Sequence, residues 1–198
     1  MKKIMTIFGT RPEAIKMAPL VKALEKDAEL EPVVVVTAQH REMLDSVLNT
    51  FDITPCHDLN IMKSGQTLPD ITSKSMVLLE EVIKKESPDM VLVHGDTVTT
   101  FSGSLAAFYN QLPIGHVEAG LRSYDKYSPF PEEMNRQMVG VMADLHFAPT
   151  FNAAKNLLDE GKSSNNVVIT GNTAIDAMNY TINDNYTSQI IDKHRNKK

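Results

Sequence analysis

Short apolar runs alternate with amphipathic stretches from the first residues to about residue 180. Residues 4–8, 33–37, 90–94, 113–117, 145–148 and 167–170 have the length and the Val/Ile content of buried strands. Between them, apolar residues recur every three or four positions. Ile15, Ala18, Val21 and Leu24 mark one face of a helix over 13–26, in which Pro19 predicts a kink or an early end. Met43, Leu44, Val47, Leu48 and Phe51 do the same for 41–51. Further helices are predicted over 69–86, stopping before Ser87-Pro88, and over 100–110, 132–143, 151–160 and 173–179. Residues 58–62 fit neither period, and 119–131 read as a loop with two prolines.

Strands separated by helices imply βαβ crossovers and a parallel sheet covered on both faces. The expected fold is therefore α/β, a Rossmann-like doubly wound sheet forming one domain over residues 1–180. Residues 181–198 turn polar and end Lys193-His194-Arg195-Asn196-Lys197-Lys198, as a tail or the start of an interdomain linker.

Composition narrows the classes. With 198 residues, 42% of them hydrophobic and 23% charged, the chain suits one folded domain and not a disordered segment. One cysteine excludes an internal disulfide and a Cys-rich zinc site, and it fits a reducing compartment. A net charge of −5 argues against bulk electrostatic binding of nucleic acid or of anionic membrane. No apolar run approaches a membrane span of ~20 residues, and the N-terminal run passes into Gly9-Thr10-Arg11-Pro12-Glu13 without a cleavage site. These features lead us to expect a soluble, cytoplasmic protein.

Open parallel sheets bind ligands beyond the carboxyl ends of their strands. Gly9 to Glu13, Thr37 to Arg41, His94 to Thr97 and His116 to Gly120 occupy those places. Neither G-x-G-x-x-G after the first strand nor G-x-x-x-x-G-K-[ST] occurs, which argues against a dinucleotide or P-loop site. Gly9 and Arg11 at a helix start could still meet a phosphate, or Arg11 could pair with a carboxylate. Asp96 could serve as a helix cap, Glu118 could pair with Arg122 or His116, and Glu132 or Glu133 could serve the helix dipole with Arg136 one turn on. Should Asp96, Glu118 and a helix-start Glu converge, repulsion of about 3 kcal/mol between carboxylates ~5 Å apart would raise one pKa by about two units. One group would then be an acid and another a base, with no metal required. Cys56-His57 lacks the further ligands a zinc ion needs.

Six blocks carry a resemblance: 8–16 (Phe-Gly-Thr-Arg-Pro-Glu-Ala-Ile-Lys), 37–41 (Thr-Ala-Gln-His-Arg), 93–97 (Val-His-Gly-Asp-Thr), 115–122 (Gly-His-Val-Glu-Ala-Gly-Leu-Arg), 128–136 (Ser-Pro-Phe-Pro-Glu-Glu-Met-Asn-Arg) and 169–173 (Ile-Thr-Gly-Asn-Thr). In this order the chain resembles the N-terminal half of the non-hydrolysing UDP-N-acetylglucosamine 2-epimerases. The resemblance implies one of two Rossmann-like domains in a glycosyltransferase-B-like arrangement, the second domain being absent from these 198 residues. It implies anti-elimination of UDP from UDP-N-acetylglucosamine and re-addition to give the manno epimer, which supplies cell-surface polysaccharide. It places the proton transfers on Asp96, Glu118 and Glu132, and the nucleotide near Arg11 and Lys16. Neither cofactor nor metal is implied, and homodimers are usual in the family. Some members bind an activating nucleotide sugar through a Gln-His-Arg-Gln run. Here Gln39, His40 and Arg41 are followed by Glu42, a departure at that possible activator site. The family's catalytic histidine belongs to the second domain, so the chain alone is expected to be an inactive half. The alternatives are the acceptor-side domain of a glycosyltransferase-B-type enzyme and a non-catalytic fragment.

Overall fold

A computed structural model describes residues 1–38, 41–63, 65–182 and 193. Seven parallel strands form one sheet in the order β3-β2-β1-β4-β5-β6-β7. They are β1 (Lys2–Phe8), β2 (Leu30–Val36), β3 (His57–Asp58), β4 (Met90–His94), β5 (Ile114–Val117), β6 (Leu145–Ala148) and β7 (Val167–Ile169). The helices are α1 (Arg11–Lys26), α2 (Arg41–Thr50), α3 (Leu68–Glu86), α4 (Val98–Tyr109), α5 (Glu132–Met142), α6 (Phe151–Asp159) and α7 (Thr173–Thr181). The chain winds outward from β1 to β3, then returns to lay β4 on the other side of β1. This reversal opens a crevice between the carboxyl ends of β1 and β4, where doubly wound folds bind ligands.

Strand alternation splits the core into two layers. Ile4, Phe8, Val34, Val36 and Leu92 pack with Met17, Val21 and Leu44 under α1 and α2, and Ala177 of α7 joins them. Met5, Ile7, Val33, Val35, Val91 and Val93 face Leu79, Ile83 and Ala106 of α3 and α4. The central strands are apolar on both faces, as a parallel sheet requires. A smaller cluster of Ala148, Ala153, Ala154 and Leu157 seats α6 beyond β6. Packed on α1 and α2, α7 adds Tyr180, whose ring lies 6.0 Å from that of Phe51 and has the Lys26 ammonium over it at 5.5 Å.

Two expectations change. Pro19 does not end α1, because a buried face running from Ala14 through Met17, Ala18 and Val21 to Leu24 holds the helix across the missing N–H. Residues 58–62 resolve into the end of a two-residue edge strand and a loop, with Leu59 N–H bonded to Val36 O at 2.8 Å and Ile61 N–H to Thr37 O at 3.1 Å. In the polar tail, 183–192 and 194–198 lie outside the described residues. Among the described residues, no helix is long and apolar enough to cross a membrane.

The turn after β1 tolerates no side chain at Gly9. A Cβ there would sit 2.0 Å from Thr37 Oγ1 and 2.8 Å from Thr99 Oγ1, two buried hydroxyls bonded to each other at 2.8 Å. Gly9→Ala is expected to cost about 1–3 kcal/mol, read as a lower urea midpoint with an unchanged slope. An unchanged midpoint would show that the turn relaxes freely.

Candidate active site

Four loops meet at the crevice. The first, Gly9-Thr10, is fixed by a capping box: Glu13 Oε2 accepts the N–H groups of Gly9 at 2.9 Å and Thr10 at 2.7 Å. Glu13 Oε1 accepts the Thr97 hydroxyl at 2.7 Å, across the crevice floor. Burial pushes the Glu13 carboxyl above the usual range, and the hydroxyl and N–H donors of Thr97, Gly9 and Thr10 oppose it.

The second loop, Gly95-Asp96-Thr97, follows β4. Thr97 caps α4, its Oγ1 accepting the Thr100 N–H at 3.2 Å, so Asp96 is not the cap that its sequence position allowed. Asp96 is instead held by α5: Arg136 Nη2 reaches its Oδ2 at 2.6 Å, and Asn135 Nδ2 donates to its backbone carbonyl at 2.9 Å. Burial pushes the Asp96 carboxyl up, the Arg136 guanidinium pulls it down, and the charges of Glu132 and Glu118 add a further upward push. Net, the group sits above the usual aspartate value. The expected mutual repulsion is therefore present but secondary to burial.

Glu118 follows β5 in the left-handed backbone region, at φ +62°. For a residue with a side chain that conformation costs roughly 1–2 kcal/mol, a strain often found where a side chain is aimed at a site. Its partner is neither of those the sequence offered. Arg122 turns away into a two-pronged ion pair with Glu160, at 2.7 and 2.8 Å. His116 Nε2 donates to Gly95 O at 2.7 Å. Lys16, from the second turn of α1, takes the place at 2.5 Å from Glu118 Oε2, because one helical turn beyond the capped start carries its side chain over the strand ends. Beside them His94 Nε2 stands 3.9 Å from the same oxygen.

Glu132 and Glu133 open α5 as their sequence position predicts, and their tasks differ. Arg136 pairs with Glu133 at 3.2 Å and with Asp96, not with Glu132, since it has swung toward the more buried carboxylates. Glu133 is fully buried: its oxygens also accept Ser123 N–H at 3.0 Å, Tyr124 N–H at 3.1 Å and Gln137 Nε2 at 2.7 Å. It ties the 119–131 loop to α5. Burial acts to raise this carboxyl, but the donors of Ser123, Gln137 and Tyr124 outweigh it and keep the group below its ordinary value. Glu132 is left to line a cleft of about 280 Å³ with Thr10, Thr97 and Asn135.

The structure thus brings Asp96, Glu118, Glu132 and Lys16 to one opening. Arg11 is exposed at the start of α1, on a groove of about 360 Å³ bounded by α2 and α7, and has no ion pair among the described residues. Gln39 and His40 lie outside the described residues, as does the Arg41 side chain. A larger hollow of about 560 Å³ opens around Pro113 and Asp144, at the amino ends of β5 and β6, away from these groups. Among the described residues no cluster of His, Cys, Asp or Glu is arranged to hold a metal ion. Sequence reasoning placed Glu13 and His94 at strand ends and Glu133 at a helix start, and foresaw none of their contacts with the loops of the site. The Thr10-x-x-Glu13 spacing, a capping-box signature, could have flagged the first.

The profile of a family described as UDP-N-acetylglucosamine 2-epimerase matches residues 22–198. A Bacillus subtilis protein named UDP-N-acetylglucosamine 2-epimerase is 62% identical over 191 residues, covering 96% of this chain and 50% of that protein. A solved S. aureus structure, titled as a co-structure of MnaA with UDP, superposes with a TM-score of 0.93 at 77% identity, over 100% of this chain and 52% of that one. The UDP-GlcNAc 2-epimerase from Neisseria meningitidis, bound to UDP-GlcNAc, gives a TM-score of 0.86 at 55% identity, over 89% of this chain and 48% of that one. The chain spans about half the length of the curated relatives it matches.

Proposed function

The chain belongs to the UDP-N-acetylglucosamine 2-epimerase family, and from that premise we propose that residues 1–180 form the catalytic N-terminal domain of such an enzyme. On this reading a second Rossmann-like domain closes over the crevice, and residues 181–198 begin the link to it. The substrate is UDP-N-acetylglucosamine, the enzyme acts in the cytoplasm, and it works as a homodimer.

The observation that carries the reading is the carboxylate set at the β1/β4 opening, with Asp96 raised by burial and by the charges of Glu118 and Glu132. A 2-epimerisation needs that set. One carboxylate takes the C2 proton; the C–H electron pair becomes the C1=C2 double bond as the C1–O bond to UDP breaks. Re-addition of UDP to C1, with proton delivery to the other face of C2, completes the inversion. Carboxyl groups in unlike surroundings, facing one space, can divide the two proton transfers between them. Lys16 supplies a cation for the departing diphosphate once it leaves Glu118, and Arg11 at the α1 start adds a second. A glycosyltransferase acceptor domain would need one base, and three interacting carboxylates exceed that requirement.

The test replaces the matching part of the Bacillus subtilis relative with residues 1–182 of this chain. The chimaera is then incubated with UDP-N-acetylglucosamine in D₂O and followed by proton NMR. Loss of the C2 proton signal and growth of manno-type anomeric signals are expected. A folded chimaera that leaves the C2 proton in place would refute the reading. The 198-residue chain alone, run beside it, is expected to show no exchange.

A further inference from the structure

His94 is the one histidine of the three on β4, β5 and β6 with both ring nitrogens buried and without a hydrogen-bond partner, among the described residues. Its side chain is almost wholly buried. His116, on the adjacent strand, has spent its Nε2 on Gly95 O. His94 has no such outlet. Its own carbonyl accepts the Thr100 hydroxyl at 2.5 Å, which pins the backbone beneath the ring. The nearest acceptor is Glu118 Oε2, 3.9 Å from Nε2 and already held by the Lys16 ammonium at 2.5 Å. Two donors therefore face one carboxylate oxygen, and only one of them is bonded to it.

We propose that His94 is a positioning residue for Glu118: when Lys16 turns to an anionic ligand such as a diphosphate, the imidazole Nε2–H closes on the freed oxygen and keeps the carboxylate aimed into the crevice. The exchange is chemically unequal. Lys16 brings a full charge that an anionic ligand can claim, whereas an uncharged imidazole offers such a ligand far less and can stay on the carboxylate. Burial first, and the Lys16 charge second, push the His94 pKa down to about 3, so the ring is uncharged near neutral pH. The same anion that engages Lys16 thereby leaves Glu118 aimed into the crevice. This inference rests on the reading of Glu118 as a proton carrier for its purpose, but not for its geometry.

The geometry is tested on the 198-residue chain with ¹⁵N-labelled histidine. In Lys16→Met the His94 Nε2–H proton is expected to move downfield and its exchange with water to slow by about tenfold or more, as a new hydrogen bond to a charged acceptor requires. Lys16→Gln is the second variant, should the first fail to fold. Adding Glu118→Gln to either should reverse both changes. An Nε2–H signal that is the same with and without Lys16, or that shifts equally in the double variant, overturns the proposal. In the chimaera, His94→Leu should lower kcat with little change in KM, and His94→Gln, which keeps an N–H donor, should restore much of the loss. If instead Glu118→Gln leaves turnover intact, it is the catalytic reading of Glu118 that falls, and the NMR result stands by itself.

Discussion

Glu118→Gln in the chimaera is expected to lower C2 proton exchange by roughly 10²- to 10⁴-fold, the usual contribution of a positioned acid or base. The amide keeps the size and most of the hydrogen-bonding capacity of the carboxylate but cannot accept the C2 proton. Substrate affinity should not fall with it. Glu118 holds Lys16 at 2.5 Å, so removing its charge releases an ammonium for the diphosphate, and KM should stay level or drop. That split, kcat lost and KM kept, marks an interaction made in the transition state rather than in binding. A variant within tenfold of the parent in kcat would remove Glu118 from the chemistry and leave Asp96 and Glu132 to account for it.

The second large effect is on stability and comes from histidines. His94 and His116 are buried on neighbouring strands with pKa values pushed down to about 3, and burial is the leading cause for both. In the unfolded chain each titrates near 6.5. Between those values the unfolded state binds more protons, so stability is fully present above about pH 6.5 and falls as the pH drops toward 3. At pH 5 each ring accounts for about 2 kcal/mol, together about 4 kcal/mol out of a typical total of roughly 5–15 kcal/mol. His146, pushed down to about 4 by burial and then by the charges of Lys162 and Arg122, acts in the same direction. The raised carboxyls of Glu13 and Asp96 act against it, since they take up protons while still folded. Urea unfolding followed by circular dichroism at pH 7.5 and pH 5 measures the difference. Equal stabilities at the two pH values would mean that these rings gain water or partners in solution.

The sheet was legible because its signals are local. Apolar runs of strand length and helical periodicities each depend on a few adjacent residues, and six of the seven strands stand out in this way. The seventh, β3, has two residues at a sheet edge and pairs only with Val35 and Val36, too short to leave a pattern. Strand ends pointed for the same reason to the loops that carry Asp96, Glu118 and Glu132. Partners were another matter. Glu118 sits 102 positions from Lys16, and Asp96 sits 40 from Arg136. Sequence neighbours such as Arg122 and Glu132 looked better placed, yet Arg122 is claimed by Glu160, on the far side of the 119–131 loop. Which charge pairs with which is decided by how α1 and α5 lie over the strand ends, and that depends on packing across the whole sheet. Glu133 illustrates the limit most simply. Beside Glu132 in sequence, it is wholly buried while its neighbour borders the cleft, a difference set by one helical step of about 100°.

Glu13 has a mechanical consequence. Its carboxylate ties the β1 turn to the start of α4, through Gly9, Thr10 and Thr97. The two lips of the crevice belong to opposite windings of the sheet, so one buried side chain rivets the halves together where they would otherwise part most easily. This side of the opening is a fixed jaw. Any widening of the opening at this point would have to break the bonds that Glu13 makes to Gly9, Thr10 and Thr97.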